Sequence, residues 1–162
     1  MHFNKLLKNW INPNEEIKAE LLYRLTRDGE QISKFHELCD NKGSTLTLFL
    51  TEDGNKGGLF TPLSWDQNSN HKNDMQTFLL NLDKNTKYEK IYNNYEHSIT
   101  CKRDFGPWVP GFGFKIEHQM KKVLHLGNLI NKYFNKGAEI LQNKYNTTTY
   151  FNIIEVEVFK II

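Results

Sequence analysis

The chain is poor in cysteine, in proline and in long apolar runs, and it has no excess of either charge. It carries two cysteines, Cys39 and Cys101, far apart and outside any CxxC spacing. That pattern excludes a disulfide-stapled secreted fold and a zinc knuckle, and it reads as two free thiols. No window approaches 18 consecutive apolar residues, so no membrane-spanning helix is expected. The first ten residues, MHFNKLLKNW, are broken by Asn4, Lys5 and Lys8 and lack the apolar core of a signal peptide. Net charge is +2, from 21 Lys+Arg against 19 Asp+Glu, which argues against a dedicated nucleic-acid binder. Arginine is scarce as well: Arg24, Arg27 and Arg103 are the three in the chain. Lysine and asparagine fill the gap, as an AT-rich genome would produce, and the bias reads as a trace of a protist source rather than of function.

What remains is the composition of an ordinary globular domain: 162 residues, 38% hydrophobic and 25% charged. A chain of this size buries roughly 70% of the surface it exposes when unfolded and needs no metal or disulfide staple. It is expected to be soluble, intracellular and monomeric.

Periodicity divides the chain. Phe3, Leu6, Leu7 and Trp10 fall on one face of a short helix, which Asn12-Pro13 ends. Residues 20–26 read as a strand closed by Asp28-Gly29, and residues 31–39 as a helix with Ile32, Phe35, His36, Leu38 and Cys39 at helical spacing. From Thr45 the period becomes two, and Leu46, Leu48 and Leu50 alternate with Thr45, Thr47, Phe49 and Thr51 as in a half-buried strand. The EDGNKGG turn returns the chain into a strand at 59–65, a hairpin in which Pro62 marks an edge or a bulge. Residues 66–74 read as loop, and 77–82, 88–92, 98–101 and 152–161 as further strands. In the last, Ile154, Val156 and Val158 are expected on one face, with Ile153, Glu155, Glu157 and Phe159 on the other. Residues 116–134 have helical propensity, with Met120, Val123, Leu124 and Leu126 available for a face and Gly127-Asn128 as an interruption. The fold class expected is mainly β (α+β): a two-sheet antiparallel β-sandwich flanked by short helices.

Catalytic signatures are missing: there is no GxSxG elbow, Walker loop or HExxH. Glycines 54–58 join two strands instead of opening a helix, which suits a turn better than a phosphate cradle. His36, Cys39 and Asp40 have the spacing of ligands on one helix face, but no second pair completes a site, so no metal is expected. Cys101 precedes Lys102 and Arg103, a positive neighbourhood that favours a reactive thiolate; the competing reading is a small core residue. Glu155 and Glu157 share a strand face, either as an acid–base pair or as a polar exterior.

The residues LLYRLTRDGEQISKFHELCDNKG at 21–43, followed by Ser44-Thr45-Leu46-Thr47-Leu48, resemble the start of a TLDc (TBC/LysM-associated) domain in its protist-type form. Further features agree in order. Gly58 with Ser64-Trp65 is similar to the family's glycine strand and S-W step, and Phe78-Leu79-Leu80-Asn81-Leu82 to its F-L-F-x-L strand. Ile99-Thr100-Cys101, Gly106-Pro107 and Gly111-Phe112-Gly113 resemble its glycine-rich centre, and Ile154-Glu155-Val156-Glu157-Val158-Phe159 its end. The resemblance makes residues 20–162 the TLDc-like domain and 1–19 a helical lead-in. Where animal members carry an acidic F-G-L-W-L-D segment, this chain has Gly111-Phe112-Gly113-Phe114-Lys115-Ile116, with lysine and no adjacent aspartate.

That resemblance implies a two-sheet sandwich without established catalysis or cofactor, and a role in oxidative-stress resistance as related oxidation resistance proteins have. It also implies protein partners, among them subunits of the vacuolar proton-pumping ATPase, met in the cytoplasm at the cytosolic face of endolysosomal or vacuolar membranes. Contact is expected through the glycine-rich loops, with Trp108 and Phe112 as candidate anchors and Gly111 and Gly113 flanking Phe112; the competing reading is that both aromatics plug the sandwich. The alternative function is a thiol-based peroxide scavenger or redox sensor centred on Cys101.

Overall fold

In the computed structural model, residues 2–89, 98–109, 114–117, 119–126 and 148–162 are described. Helix α1 (His2–Ile11) leads into β1 (Ala19–Arg24), a one-turn helix α2 (Leu25–Asp28) and α3 (Ile32–Cys39). Then come β2 (Thr45–Thr51), β3 (Lys56–Thr61), β4 (His71–Lys72), β5 (Phe78–Asn81), β6 (Thr86–Glu89), β7 (Ile99–Thr100), β8 (Trp108–Val109), β9 (Phe114–Glu117), β10 (Lys122–Leu126) and β11 (Thr148–Ile161).

The organising element is β11, 14 residues long. Its first part pairs with β10 and its second with both β1 and β2, all antiparallel. The strand order β6-β5-β3-β2-β11-β10-β9-β8 is therefore one continuous sheet with two arms, β4 and β7 forming a separate pair. The two expected layers are present as arms joined through β11 rather than as separate sheets. Both contribute to one core: Phe49 of β2 meets Phe114 of β9 with ring centroids 5.6 Å apart. Helix α3 adds Phe35 and Cys39, and Phe35 stands edge-on to Tyr23 at 6.2 Å and to Trp65 at 6.1 Å. Each large side chain buried there contributes roughly 1.5–3 kcal/mol.

A second apolar layer lies on the other face, where Leu46, Phe60, Phe78 and Leu80 pack under Leu7, Trp10 and Ile11 of α1. Lys87 donates to the Trp10 carbonyl at 3.1 Å, supplying the C-terminal end of α1 with a cation. Because α1 covers one end of this face, β2 is buried on both sides over residues 45–47, while Leu48 and Leu50 stay partly exposed. Its leucines 46 and 48 belong to the α1 layer, while Phe49 faces the main core. Thr45, Thr47 and Thr51 are fully buried, and Thr45 accepts the Trp65 indole N–H at 3.0 Å.

Other expectations are corrected. The strand at 20–26 ends at Arg24, because the Asp28 carboxylate accepts the Arg24 backbone N–H at 2.8 Å and draws the chain into a helical turn. Pro62 lies just past β3, which is an interior strand between β2 and β5. Part of the expected loop at 66–74 pairs as β4 with β7. The helix expected at 116–134 is, over its described part, the β9–β10 hairpin: Gln119 and Met120 take left-handed φ of 59° and 62°, which no continuing helix tolerates. Residues 127–134 lie outside the described residues, as do 90–92 of the expected strand at 88–92. In β11 the register shifts between Ile153 and Glu155, a bulge that turns Ile153 to the same buried side as Val156 and Val158 and leaves Ile154 47% exposed.

Candidate functional site

The segment from Cys101 to Val109 joins the small β4–β7 pair to the β8–β9 arm. Cys101 donates its N–H to Asn70, Phe105 closes a turn onto the Lys102 carbonyl, and Gly106 and Ile116 bond across to each other's strands. Gly106 leaves room there for Met120: a Cβ would stand 2.5 Å from its sulfur, and the buried Met120 side chain would have to shift. His36, on α3, pins the outside of the loop, with Nε2 3.1 Å from the Lys102 carbonyl and 3.0 Å from that of Phe105.

These bonds present an aromatic and cationic surface. Trp108 is half-buried in β8, opposite Lys115 of β9, and its ring meets Phe105 at 5.3 Å. Lys115 Nζ lies 4.4 Å from the Phe105 ring centre and 5.2 Å from that of Trp108, while Lys102 Nζ lies 5.3 Å from Trp108. Glu117 is ion-paired to Lys115. Trp108 thus does not plug the core; Val109, its neighbour on the opposite face, does. Phe112, Gly111 and Gly113 lie outside the described residues. Beside the loop, Arg103, Asp104, Gln31 and Glu37 help line an open polar depression of about 570 Å³.

Cys101 is 1% exposed, its sulfur 4.0 Å from the Ser64 carbonyl. Desolvation pushes its thiol above the ordinary range, although an Asp66 hydrogen bond and the charge of Lys72 pull the other way. The positive neighbourhood inferred from sequence is not built, because Lys102 lies over Trp108 instead. Burial likewise raises the Cys39 thiol, with the Asp40 charge adding to it. Both cysteines are free and buried, in surroundings that suppress thiolate.

The two strand glutamates come together around Arg24, at 3.2 Å for Glu155 and 3.3 Å for Glu157. Burial disfavours the Glu155 charge, but the Thr26 hydroxyl at 2.6 Å and the Thr26 N–H, with Arg24 and the Val156 N–H, hold its carboxyl below the ordinary range. The carboxylate ties α2 to β11 and satisfies a helix N-terminal N–H. In the glycine turn, Gly54 has φ 82°, its N–H bonds to Thr51, that of Asn55 to the Thr51 hydroxyl and that of Lys56 to Asp83. The donors a phosphate would need are spent on the turn itself. Neither does the helix-face triplet gather: Cys39 enters the core while His36 Nδ1 lies 2.8 Å from Asp40. No group of three metal-ligating side chains occurs among the described residues.

Sequence reasoning missed Phe105, Lys115 and the role of His36. Lys115 was visible only as a departure from the family pattern, and the His36–Asp40 spacing of one helical turn was the single local clue.

These features define a mainly antiparallel β domain with a cationic–aromatic surface raised on a strand pair. The family model of the TLDc domain matches residues 2–162, and the chain belongs to that family. The match takes in α1 as well as the sheet. No curated protein matches the chain.

Proposed function

We propose that this TLDc domain is a non-enzymatic interaction module in oxidative-stress resistance, and that the vacuolar proton-pumping ATPase is among its partners. The observation that carries the reading is the family match over residues 2–162. The surface around Trp108 supports it. An aromatic held half-exposed beside Lys102, with the Lys115–Glu117 pair against its ring, has the make-up of an interface anchor, and Lys102 suits an acidic group on the partner protein. A monomeric domain in the cytoplasm would meet the pump at the cytosolic face of vacuolar or endolysosomal membranes; no described helix is long and apolar enough to cross one. The thiol-scavenger reading gains no support from a Cys101 that is 1% exposed with its thiol pushed up.

Affinity capture from solubilised vacuolar membranes tests the proposal. Recovery of pump subunits by the wild type and loss of most of that recovery in Trp108→Ala is the expected result. Absence of pump subunits, where another TLDc protein recovers them in parallel, overturns the pump branch.

A further inference from the structure

The arm that carries Trp108 has a second aromatic on its far side. Trp108 of β8 pairs with Lys115 of β9, Lys115 with Leu124 of β10, and Leu124 with Tyr150 of β11, so these four positions form one row across the outer face. Neighbouring strands stand about 4.8 Å apart, which puts the two aromatic positions roughly 14 Å from each other. Along β11 the alternation continues: Phe151 and Ile153 are buried, while Tyr150 and Ile154 are 48% and 47% exposed. The outer face thus shows apolar groups at the two ends of the row and further along β11.

Glu117 joins the ends. It is 5% exposed, ion-paired to Lys115 and accepts a hydrogen bond from the Tyr150 hydroxyl, so its charge is spent within the sheet. Lys102 lies against the Trp108 ring and Lys122 Nζ lies 6.0 Å from the centre of the Tyr150 ring. Neither lysine has a carboxylate partner among the described residues. The other acidic groups nearby are engaged or set aside: Glu52 accepts from Asn152 at 2.9 Å, Glu30 pairs with Lys121, and Asp104 lines the neighbouring depression with Arg103.

We propose that the interface built around Trp108 extends along this row to Tyr150 and Ile154, and that it fits an acidic protein face with apolar groups at both ends of a span of roughly 14 Å. The inference rests on the reading of Trp108 as an interaction anchor and adds to it a second anchor and a partner chemistry. Each end sets one aromatic beside one lysine, Trp108 with Lys102 and Tyr150 with Lys122. Contact with the rings supplies affinity, and the lysines select carboxylates beside the apolar groups. A lipid surface fits less well: Trp108 is half-buried and Tyr150 is tied by its hydroxyl to Glu117, so neither ring stands clear of the sheet for insertion among acyl chains.

Binding of purified vacuolar ATPase complexes to Tyr150→Ala, Ile154→Thr and Lys122→Gln, beside wild type and Trp108→Ala, tests the extension. Tyr150→Ala should weaken binding about tenfold and Ile154→Thr about threefold, while Tyr150→Phe, which keeps the ring, should lose less than about threefold. Lys122→Gln should weaken binding about threefold at low salt and leave it unchanged near about 0.5 M, where charge is screened. Should Tyr150→Ala fold poorly, the exposed Ile154 and Lys122 variants decide the matter. Wild-type affinity in all three variants, with loss in Trp108→Ala alone, overturns the extension and leaves the Trp108 reading standing. Wild-type affinity in Trp108→Ala, or no binding by any protein, overturns both. Tyr150-dependent binding to phosphatidylserine vesicles without binding of the complexes overturns the protein partner.

Discussion

Gly58→Ala places a methyl group where β3 lies directly against the backbone of β2. Gly58 pairs with Leu48 of β2 and Leu80 of β5. An added Cβ would stand 2.3 Å from the Thr47 carbonyl oxygen and 2.9 Å from Leu48 Cδ2. Leucine can rotate away, but the carbonyl belongs to β2, which is held between β3 and β11. Relaxed carbon–oxygen contacts begin at about 3.3 Å, so the strands must part by about 1 Å. Overpacking of this kind costs roughly 1–3 kcal/mol, and each weakened ladder bond adds about 1. The alanine recovers about 0.4–1 kcal/mol through the unfolded chain. A net loss of about 2–4 kcal/mol is expected, or roughly 5–15 °C in Tm for a domain of this length. Thermal unfolding followed by circular dichroism checks it. Gly54→Ala, with φ 82° but open space around it, serves as the comparison and should cost about 1–2 kcal/mol. A Gly58→Ala protein as stable as wild type would show that β2 and β3 separate freely and would refute the close approach.

The Glu155 carboxyl lies below its ordinary range in the folded chain, so the unfolded state binds more protons as acid is added. Its contribution is present above the ordinary carboxylate range near pH 4.3 and is lost as pH falls through the lower folded value. Glu155→Gln should therefore cost about 1–2 kcal/mol at neutral pH and flatten the acid limb of stability measured by urea unfolding. Both buried thiols should resist a disulfide exchange reagent in the native protein and react together with global unfolding; rapid labelling of Cys101 alone at neutral pH would favour the redox reading instead.

Much of the fold was legible because its signals are local. The EDGNKGG turn, the alternation from Thr45 and the face formed by Ile32, Phe35 and Cys39 all lie within short windows. The errors share a different origin. Met120, Val123, Leu124 and Leu126 fit either period, and the left-handed Gln119–Met120 step that decides between them has no glycine to announce it. The threonines of β2 face the main core because α1, far away in sequence, takes the leucines opposite. One bulge in β11 reassigned Ile153 and Ile154. At the candidate site Trp108 stands out in the sequence as an aromatic in a glycine-rich stretch, but the sequence leaves open whether it anchors a partner or plugs the core. The bonds that shape its surroundings were not legible, since His36 reaches carbonyls 66 and 69 residues away.

Quantitative binding of the purified domain to vacuolar ATPase complexes, wild type beside Trp108→Ala and Lys102→Glu, tests the interaction reading most directly. Saturable binding that falls at least about tenfold in both variants, while Tm stays within a few degrees of wild type, is the expected result, since interface anchors carry losses of 2 kcal/mol or more. Equal binding by all three proteins would remove the Trp108 surface from the interaction, and no binding by any of them would contradict the pump as partner.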